Sequence, residues 1–135
     1  MIVMAVLLSF REPNPSLVAI HNNVAGHIND VVERLHEVPE GDGTMFDNTG
    51  IVFLNDNGDH HHSKYDNYPV VVVGDFGGEL KTDGRLIEYP NRRQSGARGL
   101  GQFWNTVCHA MGAPKDDFGA AGTAPSNGPL DELLP

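Results

Sequence analysis

Six side chains of the kinds that hold divalent cations crowd one short stretch. Asp56, Asn57, Asp59, His60, His61 and His62 fall within seven consecutive positions. Carboxylate oxygens, an amide oxygen and neutral imidazoles are ordinary ligands for ions such as zinc, manganese, iron or calcium. If the backbone is extended through His60–His62, consecutive side chains point to opposite faces, and at most two of the three imidazoles reach one ion. The same residues also fit a hydrated polar loop with a chance histidine triplet, because a motif without its structural context often matches by accident.

Two apolar runs must position this stretch. Ile51–Leu54 precedes it and Val70–Val73 follows it. The second run is β-branched throughout, with no polar alternation, which suits a strand buried on both faces, as in a parallel sheet covered by helices. In such sheets ligands gather beyond the carboxyl ends of strands, where Asn55–His62 falls. The expected fold class is therefore α/β, a partial and mostly parallel sheet with flanking helices.

The flanking elements follow from periodicity and breakers. Val24, Ile28, Val31, Val32, Leu35 and Val38 recur at helical spacing, with Asp30, Glu33, Arg34 and Glu37 on the other side, so a helix is expected over Val24–Val38, ending at Pro39. His27 and His36 lie nine residues apart on it and point in different directions, which suits surface polarity; His21, just ahead, is more ambiguous. Leu100, Phe103, Val107, Ala110 and Met111 give a second helix, stopped by Gly112 and Pro114. Arg11–Ser16 holds two prolines that end any regular element. Leu80–Tyr89 around Asp83-Gly84 reads as a short hairpin. Arg92, Arg93 and Arg98 form a basic cluster whose plain reading is a solvated loop. Gly74-Asp75-Phe76-Gly77-Gly78 is a flexible turn, and no Gly-Lys-Ser/Thr follows to make it a phosphate loop. His109 has no ligand partner nearby in sequence. Residues 118–135, rich in Gly, Ala and Pro, are expected along the surface.

Composition narrows the functions further. The 135 residues carry 18 acidic against 9 basic side chains, a net charge of −9. That balance argues against a nucleic-acid or anionic-membrane surface, which needs neutralising Lys and Arg. An anionic substrate would need a bound cation. The apolar Met1–Phe10 lacks a basic flank and is far shorter than the roughly 20 residues of a bilayer span, so a buried strand or short helix is expected there and no membrane span. Cys108, the single cysteine, excludes an internal disulfide and reads as a small core residue.

Several segments also carry a resemblance: Pro39-Glu-Gly-Asp-Gly-Thr-Met-Phe-Asp-Asn-Thr, Asp56-Asn57-Gly58 followed by His61-His62, Tyr68-Pro69 with the valine run, Gly77-Gly78-x-Leu80-Lys81-x-x-Gly84-Arg85, and Ala110-Met111-Gly112-Ala113-Pro114-x-x-x-Phe118-Gly119. In this order and spacing they resemble the carboxyl-terminal part of the bacterial HXXSHH family, a family of unassigned function similar to the alkaline phosphatase and sulfatase superfamily. The resemblance runs from about His21 to Leu134 and leaves residues 1–20 outside it. It implies the carboxyl-terminal portion of an alkaline-phosphatase-like domain over residues 21–135. It also implies a divalent metal ion held by Asp56, Asn57, His61 and His62, with Gly58 permitting a tight turn, His60 an extra, and Asp59 or Asp75 behind the ligands. It further implies an anionic small-molecule ester as substrate and an exported full-length protein.

The superfamily's nucleophile comes from an amino-terminal half that has no counterpart here. Independently, a few central-type strands and two helices leave apolar surface on an open sheet, so a missing half or another chain is expected to complete it. Two hypotheses follow. One is the metal-binding portion of a phosphatase- or sulfatase-like hydrolase; the other is a non-catalytic structural or surface-associated domain that retains the fold.

Overall fold

The computed structural model describes residues 3–6, 15–55, 68–91, 93–118 and 128–135. In chain order the elements are β1 (Val3–Val6), α1 (Pro15–His36), β2 (Pro39–Glu40), β3 (Gly43–Thr44), a 3-10 turn over Met45–Asn48, β4 (Ile51–Leu54), β5 (Val70–Val73), α2 (Leu100–Ala110) and a second 3-10 turn over Asp131–Leu133. β1, β5 and β4 form one sheet in that order, and β2 and β3 form a separate small hairpin.

The valine run is the central strand, and its pleat divides it between two cores. Val70 and Val72 join Leu80, Phe103, Val107, Ala110, Leu130 and Leu133 on the α2 side. Val73 joins Val32 and Phe46, with Ile28, Leu35, Ile51 and Val71 packed around them, on the α1 side. Successive side chains on a strand point to opposite faces, so a run without polar alternation is what burial on both faces requires.

The direction of the strands differs from expectation. β5 pairs antiparallel with β4, Ile51 opposite Val73 and Leu54 opposite Val70, and antiparallel with β1, Val3 opposite Val73 and Val6 opposite Val70. The mostly parallel sheet of an alkaline-phosphatase-like domain is therefore overturned. The hydrophobic pattern reports how deeply a strand is buried and carries no information about the direction of its neighbours. β4 and β5 are consecutive among the described strands and pair antiparallel, whereas a parallel pair would need a crossover between them.

Other elements shift for local reasons. α1 starts at Pro15, well before Val24, because proline lacks the amide hydrogen that a first-turn residue leaves unpaired and has the φ a helix needs. It ends at His36, before Val38, since the residue preceding Pro39 is pushed out of helical geometry. Val38 instead accepts a hydrogen bond from the Met45 amide at 2.8 Å. Val31 and Val38, on the expected apolar face, remain exposed, as do Val18 and Ile20. The Asp83-Gly84 turn forms, but its flanks run without strand pairing beyond a single bridge residue at Leu86. Lys81 donates its amide to Leu133 at 2.8 Å. That contact corrects the reading of the C-terminal stretch: Leu130 and Leu133 are buried core residues, 3% and 0% exposed. No described helix is long and apolar enough to cross a membrane.

Val72 is wholly enclosed, at 0% exposure. Val72→Ala is expected to lower unfolding stability by about 2 kcal/mol, from lost methyl burial plus an unfilled cavity. The loss reads as a lower urea midpoint at unchanged slope.

Candidate functional site

Asp56, Asn57, His61 and His62 lie outside the described residues, as do Asp59 and His60. The base of their loop is described. The Leu54–Val70 pair closes it, and the Tyr68 hydroxyl donates to the Asn55 carbonyl across its mouth. His21, on α1, packs edge-on against Phe53 with ring centroids 6.2 Å apart, close to this end of β4. His27 and His36 are exposed on α1, His27 within 4.0 Å of Asp30, and neither meets the loop's base. His109 does have a partner: its Nε2 lies 3.3 Å from Asp116 Oδ1.

Asp75 belongs elsewhere. It follows Val73, which pairs with Ile51 at the end of the hairpin opposite the loop's base. Four strand residues separate the two ends by about 10 Å. Asp75 thus leaves the sheet at the end opposite the Leu54–Val70 pair.

At that opposite end the described residues build a cleft of about 490 Å³. One wall comes from the chain after α1. The β2–β3 hairpin turns it back, and Thr44 starts the 3-10 turn. Thr44 donates both its amide (2.7 Å) and its hydroxyl (3.0 Å) to Asp47 Oδ2. Phe46 turns inward against Val32 and Val73, with the His36 ring 4.4 Å from its own. Asp47 and Asn48 are left facing solvent along the cleft. Asn48 donates its Nδ2 to Glu40 at 2.7 Å, which leaves its carbonyl oxygen free of that bond.

The facing wall is the turn after β5. Gly74 has φ +90°, and a side chain there would run into the Thr49 carbonyl. Only glycine meets both demands without strain. Phe76 sits at φ +57° despite its side chain. Its ring occupies the space a Cβ on Gly50 would need, so packing holds a conformation that sterics disfavour. Asp75 Oδ1 accepts the Gly78 amide at 3.1 Å, and its carbonyl accepts the Leu80 amide at 2.9 Å, which closes the turn. Thr82 completes the lining. It is 2% exposed, and among the described residues its hydroxyl has no hydrogen-bond partner.

The cleft is rich in acceptors. The Thr44 amide, then the Thr44 hydroxyl, hold the Asp47 carboxyl below its ordinary value of 3.8, with His36 adding a smaller pull. Among the described residues no three His, Cys, Asp or Glu side chains are grouped to hold a metal ion. Sequence reasoning did not assemble this site. Thr44-x-x-Asp47 has capping-box spacing, with a carboxylate reaching back to the amide, and was available as a signal. The meeting of its 3-10 turn with the glycine turn depends on the antiparallel β4–β5 register.

Burying a hydroxyl unpaired disfavours the folded state, so Thr82→Val is expected to raise stability by about 1 kcal/mol, read as a higher urea midpoint. Asp47 has a lowered pKa in the fold, so its stabilising contribution is present above pH 3.8 and lost as pH falls through the folded value. Melting temperatures across this acid range should therefore fall less steeply for Asp47→Asn than for the wild type. No protein-family model, curated protein or solved structure matches the chain.

Proposed function

We propose that this chain is the divalent-cation-binding portion of a phosphatase- or sulfatase-like ester hydrolase, with Asp56, Asn57, His61 and His62 as ligands. One observation carries the reading: all four belong to a single loop whose two ends meet at the Leu54–Val70 pair. Closing the ends of the segment at Leu54–Val70 shortens the chain over which its ligand-type side chains are tethered, and tethering raises effective concentration. The donor set, two imidazoles with a carboxylate and an amide oxygen, suits a borderline divalent ion. Such an ion, when bound, supplies Lewis-acid polarisation of an ester oxygen. It also gives an anionic small-molecule ester a point of attachment on a chain of charge −9. The nucleophile half and the remaining cover of the sheet belong, on this reading, to further protein, a missing half or another chain. The exposed Val18, Ile20 and Val31 of α1 and the edge positions of β1 and β4 support that part of the proposal.

The second reading is a cation-binding module without catalysis. The antiparallel sheet favours it, because the placement of ligands beyond parallel strand ends no longer supports the hydrolase reading.

The purified chain is expected to bind one divalent ion in calorimetry with zinc or manganese. At a hundredfold excess over the dissociation constant, that ion stabilises the fold by about 2.7 kcal/mol. Asp56→Ala should abolish both effects. Hydrolysis of aryl phosphate or sulfate esters by protein of full gene length would establish the hydrolase, and metal retention without turnover the module. Absence of binding would sink both.

A further inference from the structure

We propose that the outer stripe of α1 is the contact surface for a second copy of this chain, packed as an antiparallel helix pair about a two-fold axis. The inference is independent of the cation loop: it names what covers one part of the exposed apolar surface and leaves the loop's chemistry untouched.

α1 carries two apolar stripes side by side. Ile28, Val32 and Leu35 turn inward to the core shared with Val73. Ile20, Val24, His27 and Val31 run beside them at spacings of four, three and four. This second stripe is turned outward, with Ile20 57% and Val31 48% exposed. Alternation of four and three is the a/d seam of a helix that packs lengthwise on another helix. The sheet covers only the first stripe, and α1, at 22 residues, is long enough to present the second along several turns.

Charge selects the occupant. With 18 acidic against 9 basic residues, two copies of the chain repel across most of their surfaces. Residues 13–29 are its longest stretch without Asp, Glu, Lys or Arg, and they supply most of the stripe. In an antiparallel pair a positions meet d positions, so Ile20 of one copy faces Val31 of the other and Val24 faces His27. The same register sets Asp30 beside Asn23 of the second copy, away from its own counterpart. It also brings Glu37 to the second copy's first helical turn. The amides there carry partial positive charge, and that turn has no acidic residue of its own. A parallel pair would instead align the two helix dipoles and bring both acidic second halves together. The stripe is thus complementary to itself in one orientation, as a two-fold contact requires. Both inward stripes then fall on one side of the helix pair, so the two sheets lie next to each other without crossing the seam.

The test is sedimentation velocity of the chain over a concentration series in EDTA, which prevents any cation at the loop from bridging copies. The wild type is expected to move from monomer toward dimer as concentration rises, with the weak affinity of a small interface. Ile20→Glu and Val31→Lys each place an unpaired charge in the seam and should weaken dimerisation about tenfold or more. Both positions are exposed in the single chain, so far-UV circular dichroism should not change. Val18→Glu, at a residue also exposed but on the far side of the helix, should leave the dimer intact. Ile20→Glu and Val31→Lys combined in one chain set opposite charges across the antiparallel seam and should recover association relative to either single variant. The proposal is overturned if the wild type stays monomeric up to about 1 mM. It is equally overturned if Val18→Glu dissociates the dimer as fully as Ile20→Glu, or if the double variant associates no better than the single ones. Binding of a monomeric chain to phosphatidylcholine vesicles would assign the stripe to a lipid surface and overturn it too.

Discussion

The burial of β5 on both faces is the constraint on which the rest of the structure depends. Its four valines alternate between a core under α2 and a core under α1. Each fully buried valine contributes roughly 1.5–3 kcal/mol from water exclusion. That gain is available only if the strand's backbone groups are paired, and a strand enclosed on both faces has no water to pair with. β1 on one side and β4 on the other meet that need. The helices could not be brought to opposite faces around a shorter or more polar strand.

From that register the two ends of the hairpin acquire different characters. At the Leu54–Val70 end the chain leaves into a loop of carboxylates and imidazoles. At the Ile51–Val73 end, Thr49 and Gly50 lie against Gly74 and Phe76 so closely that glycine is demanded at both 50 and 74. This tight end is self-bracing: the Phe76 amide donates to Thr49, Asp75 ties Gly78, and Thr44 ties Asp47. The cleft walls are therefore positioned by short-range hydrogen bonds on either side of one strand pair.

α1 distributes its burial unevenly. Ile28, Val32 and Leu35 in its second half serve the core, whereas Val18 and Ile20 in its first half are exposed. Pro15–Gly26 contains no Asp, Glu, Lys or Arg. The charged residues begin where the helix reaches the sheet, at Asp30, Glu33 and Arg34, on the side facing away from it. α2 shows the opposite arrangement: buried Asn105 and Thr106 are satisfied by backbone groups of Phe118, Gly128 and Leu130, and so clip the C-terminal stretch onto the core.

By itself the sequence determined where the buried strands lie and that β5 is enclosed. A β-branched run without alternation has one physical reading, and Ile51–Leu54 and Val70–Val73 are strands over those residues. It determined the second helix, through its apolar spacing and its Gly112 stop. It also determined the exposure of His27 and His36. Tertiary structure alone decided strand direction, because pairing of backbone groups is blind to side-chain pattern and both orientations bury the same valines. It decided that Leu130 and Leu133 are core, since two apolar residues in a Gly- and Pro-rich stretch carry no period to betray what they cover. Above all it decided the cleft: His36, Asp47, Asp75 and Thr82 line one concavity only because antiparallel pairing folds residue 49 back onto residue 74.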